Sequence, residues 1–241
     1  MLFLTNANKG GIGKTTISAY IAEFLKTNSK KELICVDTDP ENKTFCAYKA
    51  LNSLAFNIKN EDTNDIDKSS FDELIELILK NKDKNVVIDN GAGSFNALNT
   101  YMIENDIIGL LKEKNIEHTI VTIVAGGGNT VDSIQGFKSM TDLLDTNFLL
   151  FNNQLLGTTD YKGNALVDLE IVQDAKNILG IVNIQKESEY ITNDILEMTK
   201  LRLSFSELKA STDFMMMQKR RLIIYRDRIF EQLQGVLDGK F

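Results

Sequence analysis

The chain has 241 residues, 43% hydrophobic and 25% charged, which suits one α/β domain with a sizeable core and is ordinary for a soluble globular protein. Its net charge of −7 argues against a protein that coats DNA through a general basic excess, and leaves room only for a local basic patch. No apolar run approaches membrane-spanning length and no signal peptide is visible. The two cysteines, Cys35 and Cys46, form no C-x-x-C pair, so a cytoplasmic protein with reduced, buried thiols is expected.

Residues 2–6 read as a short strand. They lead into Lys9-Gly10-Gly11-Ile12-Gly13-Lys14-Thr15-Thr16, which opens a helix over 16–26 with Ile17, Ile21, Phe24 and Leu25 on one face. A glycine-rich turn of this kind leaves backbone N–H groups unblocked in one concavity. With the positive end of the helix dipole behind it, that concavity binds phosphate. Gly10, Gly11, Ile12, Gly13 and Thr16 belong to the cradle. Lys14 would reach the β- and γ-phosphates of ATP, and the Thr15 hydroxyl would bind Mg²⁺. The usual pattern G-x-x-x-x-G-K-[ST] is met only in part. Asn8 stands at its first position, and a second lysine, Lys9, precedes two adjacent glycines.

Residues 33–36 form a continuous apolar strand, as at the centre of a parallel sheet, and a short strand follows near 56–58. The first of these strands ends in Asp37-Thr38-Asp39-Pro40. Two carboxylates at i and i+2 face the same side while the backbone stays extended, and Pro40 biases Asp39 away from helical geometry. Ser70 and Glu73 predict a capping box for a helix carrying Phe71, Leu74, Ile75 and Ile78. Residues 86–88 are the next buried strand, ending in Asp89-Asn90-Gly91-Ala92-Gly93-Ser94. Asp89 can hold Mg²⁺ through a water, because that ion keeps most of its waters and uses few protein carboxylates.

Two helical stretches are expected between 95 and 114, then a strand over 119–124 broken by Gly126-Gly127-Gly128. A helix marked by Val131, Ile134, Phe137 and Leu144 follows, then strands over 148–151 and 181–184, and helices from about 190. The alternation predicts an α/β fold: a mainly parallel central sheet of about seven strands with helices on both faces, and ligands beyond the carboxyl ends of its strands. With one proline and no repeat, residues 1–241 are expected to form a single P-loop ATPase domain with a helical C-terminal part. His118, the only histidine, has no second ligand or base beside it and reads as a core or strand-edge residue. Basic residues concentrate over 214–230. On a helix there, Leu222, Tyr225, Ile229 and Leu233 share one face, which predicts packing on the sheet with a solvated basic side. A surface for DNA or a partner, or a peripheral membrane contact, are the alternatives.

The stretch 9–16 resembles the deviant P-loop, K-G-G-x-G-K-[ST], of the MinD/ParA group of ATPases. The resemblance implies that Lys9 reaches across a dimer interface to the partner's nucleotide, and that Asp39 orients the attacking water. It also implies that Asp37 lies nearer the Mg²⁺ shell and that Asp89 takes the Walker B position. The implied catalytic set is therefore Lys9, Lys14 and Asp39, and the implied metal set Thr15, Asp37 and Asp89. Three further segments look like the TraL family of plasmid conjugative-transfer proteins. The first is Cys35 to Pro40, continued by Asn42 to Phe45 and Tyr48 to Asn52; the second is Val86 to Phe95; the third is Arg220 to Leu233. That resemblance implies an ATP-driven accessory factor in conjugative plasmid transfer or maintenance. Its ATPase would be slow, Mg²⁺-dependent and partner-stimulated, acting as an ATP-dependent homodimer with a conjugation-machinery or other plasmid-encoded protein. By the same resemblance Asn153 contacts the adenine, and a strand-end turn residue is the other reading of it. A ParA-like partition ATPase and a small-molecule kinase or ligase on the same scaffold are the alternatives. An iron–sulfur reductase is excluded, because no cysteine follows Cys46.

Overall fold

The computed structural model describes residues 1–60, 62–175 and 177–238. The first half of the chain runs β1 (Leu2–Thr5), α1 (Lys14–Asn28), β2 (Leu33–Asp37), β3 (Leu54–Ala55), α2 (Ser70–Lys80), β4 (Asn85–Asp89), α3 (Phe95–Glu104), α4 (Ile107–Glu113) and β5 (His118–Ala125). The second half runs α5 (Thr130–Leu143), β6 (Phe148–Asn153), α6 (Glu170–Gln173), β7 (Ile178–Ile184), α7 (Glu189–Lys200), α8 (Phe205–Leu208) and α9 (Met216–Leu237). The seven strands form one parallel sheet in the order β3-β2-β4-β1-β5-β6-β7.

Both faces of the sheet are covered, so its central strands are buried along their whole length and mostly apolar. Alternate residues serve opposite layers. Phe3, Cys35, Val87 and Leu149 pack with Ile17, Ile21 and Phe24 of α1 and with Leu222, Tyr225, Ile229 and Leu233 of α9. Leu2, Leu4, Val86 and Ile88 pack with Phe71 and Leu74 of α2, Leu98 of α3 and Ile107 of α4. Pairing register aligns the carboxyl ends of three strands: Thr5 lies beside Asp89, and Asp89 beside Asp37. The acidic residues of β2 and β4 are thereby brought level with the start of the loop after β1.

Several local expectations change. The strand near 56–58 is a two-residue edge strand, Leu54–Ala55, with both side chains exposed. The Ser70/Glu73 capping box does not form, because α2 takes Ser70 as its first residue and Ser69 stands at the N-cap. The Asp67 carboxylate accepts the Ser69 N–H at 2.9 Å instead. A capping box does close at Ser204 and Glu207, where it starts α8. Val131 is exposed while Ile134, Phe137 and Leu144 are buried, so Val131 lies off the buried face of α5. His118 is buried with Nδ1 2.8 Å from the Ile116 carbonyl. Cys35 is buried and its thiol pushed up to about 12 by that burial, while Cys46 is half-buried.

Candidate nucleotide site

The loop between β1 and α1 turns at two left-handed glycines, Gly11 (φ 74°) and Gly13 (φ 98°), and Gly13 is the N-cap of α1. Nothing lies within 4 Å of where a Cβ would stand on Gly10 or Gly11, so this part of the loop faces open space. Asn8 sits where a standard P-loop has its first glycine, and it anchors the loop sideways. Its Nδ2 donates to the Asp132 carbonyl of α5 at 3.0 Å. Its Oδ1 lies against Gly136, where a Cβ would come within 2.2 Å of it, so a larger residue there would displace the Asn8 amide. Lys9 follows the same direction and pairs with Asp132 at 2.6 Å, both side chains being nearly half exposed.

Lys14 is buried, and its Nζ donates back to the Lys9 carbonyl at 2.7 Å across the mouth of the loop. Burial lowers its pKa, against the pull of the Asp89 and Asp39 carboxylates. Thr15 Oγ1 donates to Asp89 Oδ2 at 2.7 Å, and Ser18, one helical turn on, donates to Oδ1 at 2.8 Å. Burial pushes the Asp89 carboxyl up to about 7, with the Thr15 and Ser18 hydrogen bonds opposing that rise. Thr44 brings a second hydroxyl within 3.0 Å of Thr15. Sequence reasoning missed Ser18 and Thr44. Ser18 was detectable, since i and i+3 share a helix face. Thr44 stands on an irregular segment with no periodicity to read.

Asp37 spends its carboxylate on the chain itself. Oδ2 accepts the N–H groups of Phe45 (2.9 Å) and Cys46 (3.1 Å), and Oδ1 accepts that of Asp39 (3.1 Å). Burial raises its pKa and these three donors lower it. The residue thus holds the segment after β2 in shape. Asp39 folds that segment further, Oδ1 accepting from Glu41 N (2.8 Å) and Asn42 N (3.0 Å), while Oδ2 accepts no hydrogen bond among the described residues. A buried amide network joins the strand ends. Asn90 donates to Asn6 (2.9 Å), Asn6 to Asn99 (2.8 Å), and Thr38 and Ser94 both donate to Asn90 Oδ1. Every member is hydrogen-bonded, the condition under which such networks rigidify a core.

Gly91 lets the two acidic loops meet. A Cβ there would stand 2.7 Å from Asp39 Cγ and 3.0 Å from Asp39 Cα. Gly91→Ala is therefore expected to displace the Asp39 segment and to cost about 1–3 kcal/mol of stability, as overpacking does. Urea unfolding checks this; an unchanged midpoint would count against the close approach.

Loop residues Gly10 to Thr16, Asp39 and Thr44 line one side of a cavity of about 570 Å³. Asn153, Leu155, Ile184 and Ile195 also line it. The Asn153 amide braces the loop, donating to the Ile12 carbonyl at 3.0 Å, and its Oδ1 accepts from Leu155 N. The donor set fits a magnesium nucleotide: an open glycine cradle, a buried ammonium, and a hydroxyl and a carboxylate 2.7 Å apart beside them. Thr15 would hold the ion directly and Asp89 through water. The C-terminal basic residues are largely neutralised in place. Arg221 pairs with Asp194 at 2.6 Å, Arg228 with Glu187 and Arg226 with Asp227, both at 2.5 Å. No described helix is long and apolar enough to cross a membrane.

A parallel sheet with a glycine loop after its central strand, Lys14 in that loop and an aspartate ending the neighbouring strand defines a P-loop nucleotide-binding fold of MinD/ParA type. The AAA domain family matches residues 3–155. Among solved structures, similarity extends to MinD in the MinC:MinD cell division protein complex of Aquifex aeolicus, with TM-score 0.54 and 15% identity, covering 95% of each chain. It extends also to MinD of the same organism alone, with TM-score 0.53 and 16% identity over 95% of this chain and 96% of that one. A ParA family ATPase from Chlorobium tepidum has TM-score 0.50 and 12% identity, covering 93% of this chain and 96% of that chain. In sequence the chain is 37% identical over 232 residues to a Protein TraL of Escherichia coli, covering 94% of both, and 36% identical to a second such protein over the same shares. The chain belongs to the TraL family.

Proposed function

We propose that this chain is a Mg²⁺-dependent ATPase whose ATP-bound form dimerises, serving as an accessory factor in conjugative plasmid transfer or maintenance. The observation that carries the reading is the Thr15–Asp89 hydrogen bond of 2.7 Å beneath a glycine cradle, with buried Lys14 beside it and the Asp39 segment opposite. Bound Mg²⁺ would supply charge neutralisation on the phosphate oxygens. The chain's own residues would do the rest: loop N–H groups orient the phosphates, Lys14 neutralises them, and the free Oδ2 of Asp39 accepts a proton from a water aligned with the γ-phosphate. Phosphoryl transfer needs little more than such positioning and charge stabilisation. The adenine would lie towards Asn153 and Leu155. The likeness to MinD and ParA proteins and membership of the TraL family support the switch and its plasmid setting.

Lys9 is held by Asp132, and an ion pair this exposed is worth about 0–1 kcal/mol, so it is readily exchanged for a partner's phosphate. Sizing the protein without nucleotide, with ADP and with ATP, each in Mg²⁺, tests the proposal: a monomer is expected in the first two and a dimer with ATP. Lys9→Ala should keep nucleotide binding and lose ATP-dependent dimerisation. Unchanged dimerisation in that variant would sink the role of Lys9 across the interface.

A further inference from the structure

Arg202 stands at the joint between α7 and α8, in a segment that no phosphate-binding pattern in the sequence touches. Its side chain lines the cavity it shares with Thr16 and the rest of the loop. Tyr48, itself buried, stands beside both Thr16 and Arg202, so the guanidinium is one residue removed from the end of the loop. Arg202 is half-buried and forms no ion pair among the described residues; Nη1 donates to the Thr199 carbonyl of its own helix at 3.2 Å. In a chain with 34 acidic residues, a half-buried guanidinium without a carboxylate is a cation waiting for an anion.

The backbone gives a second, independent indication. Arg202 N donates to the Thr199 carbonyl and Leu203 N to the Met198 carbonyl, which is the Schellman closure of a helix. Its left-handed residue is ordinarily glycine, yet here it is Arg202 at φ 52°. A side chain is kept at a position where conformation alone favours none.

We infer that Arg202 is a direct contact for the α-phosphate of a nucleoside di- or triphosphate, brought to the phosphate loop by the C-terminal helical segment. Arg202 lines the same cavity as Thr16, at the end of the cradle, and as Leu155 and Ile184, so its guanidinium would meet the phosphate chain next to the nucleoside. Because ADP and ATP share that phosphate, the contact serves both. It also joins nucleotide binding to α7 and α8, which the loop itself does not reach.

This inference rests on the nucleotide reading above, and the experiment separates the two. ADP and ATP affinities are measured by calorimetry for the full chain, Lys14→Ala, Arg202→Gly and Arg202→Lys. Glycine suits φ 52°, so Arg202→Gly removes the guanidinium without straining the turn, and its nucleotide-free melting temperature should not fall. Loss of a charge-assisted hydrogen bond predicts roughly tenfold to hundredfold weaker binding of ADP and ATP alike, with Arg202→Lys in between. Wild-type affinity in Arg202→Gly, while Lys14→Ala abolishes binding, overturns the inference and leaves the nucleotide reading intact. Loss confined to ATP overturns the α-phosphate assignment. Absence of ADP and ATP binding by the unaltered chain overturns both.

Discussion

Asp39→Ala is expected to lower ATP turnover by roughly 10²–10⁴-fold, the range for losing a positioned general base, while the affinity for ATP stays within a few-fold. The division follows from how the carboxylate is held. Oδ1 is engaged by Glu41 N and Asn42 N, and Asp37 fixes the backbone on which Asp39 stands. Oδ2 is left to accept from a water, and it makes no contact that phosphate binding needs. Single-turnover rates and equilibrium binding on the same variant check this. A parallel loss of affinity would show that the substitution collapses the segment, and an unchanged rate would remove Asp39 from the chemistry. Asp39→Asn keeps the acceptor for both backbone donors and removes the base, so it should reproduce the rate loss with the segment intact.

Lys14→Ala should weaken ADP and ATP by at least about a hundredfold, as expected where an ammonium makes several charge-assisted hydrogen bonds to phosphate. Lys14 makes no ion pair among the described residues, and burial already lowers its pKa. It is a buried charge held by one carbonyl and drawn by the Asp89 and Asp39 carboxylates without an ion pair, and a phosphate chain would supply a direct counter-charge. The variant should therefore be at least as stable as the parent without nucleotide, because removing a buried charge that forms no ion pair relieves a desolvation cost. Saturating the parent at a hundred times its dissociation constant adds about 2.7 kcal/mol, which for a chain of this size raises Tm by roughly 5–11 °C. Melting curves with and without Mg·ADP should give that rise in the parent and at most about 1–2 °C in Lys14→Ala. A variant that melts lower without nucleotide would mark Lys14 as structural.

Much of the fold was legible because the strands are buried on both faces and so read as continuous apolar runs, as in 33–36 and 86–88. The edge strand was misplaced by two residues for the opposite reason: Leu54 and Ala55 are exposed and carry no burial pattern. The capping box was misplaced because the Asp67 carboxylate takes both the N–H and the hydroxyl of Ser69, and only the finished turn decides where the helix begins. In the phosphate loop, residue spacing sufficed, since glycine torsions and the reach of a lysine act over a few bonds. The partners of Lys9 and Asn8 lie more than a hundred residues away on α5, and sequence separation of that size carries no local signal.

The sequence by itself determined the loop from Lys9 to Thr16, the helix behind it, and the parallel α/β arrangement, because each rests on short-range periodicity and backbone preference. Only the tertiary structure decided what those residues touch. Sheet register set Asp37 and Asp89 level with Thr5, and the absence of a Cβ at Gly91 allowed the Asp39 segment to pack against the loop after β4. The turn after α7 carried Arg202 back to the same cavity. These are contacts between segments far apart in the chain, fixed by which strands pair and which helices cover them, and no local pattern encodes that choice.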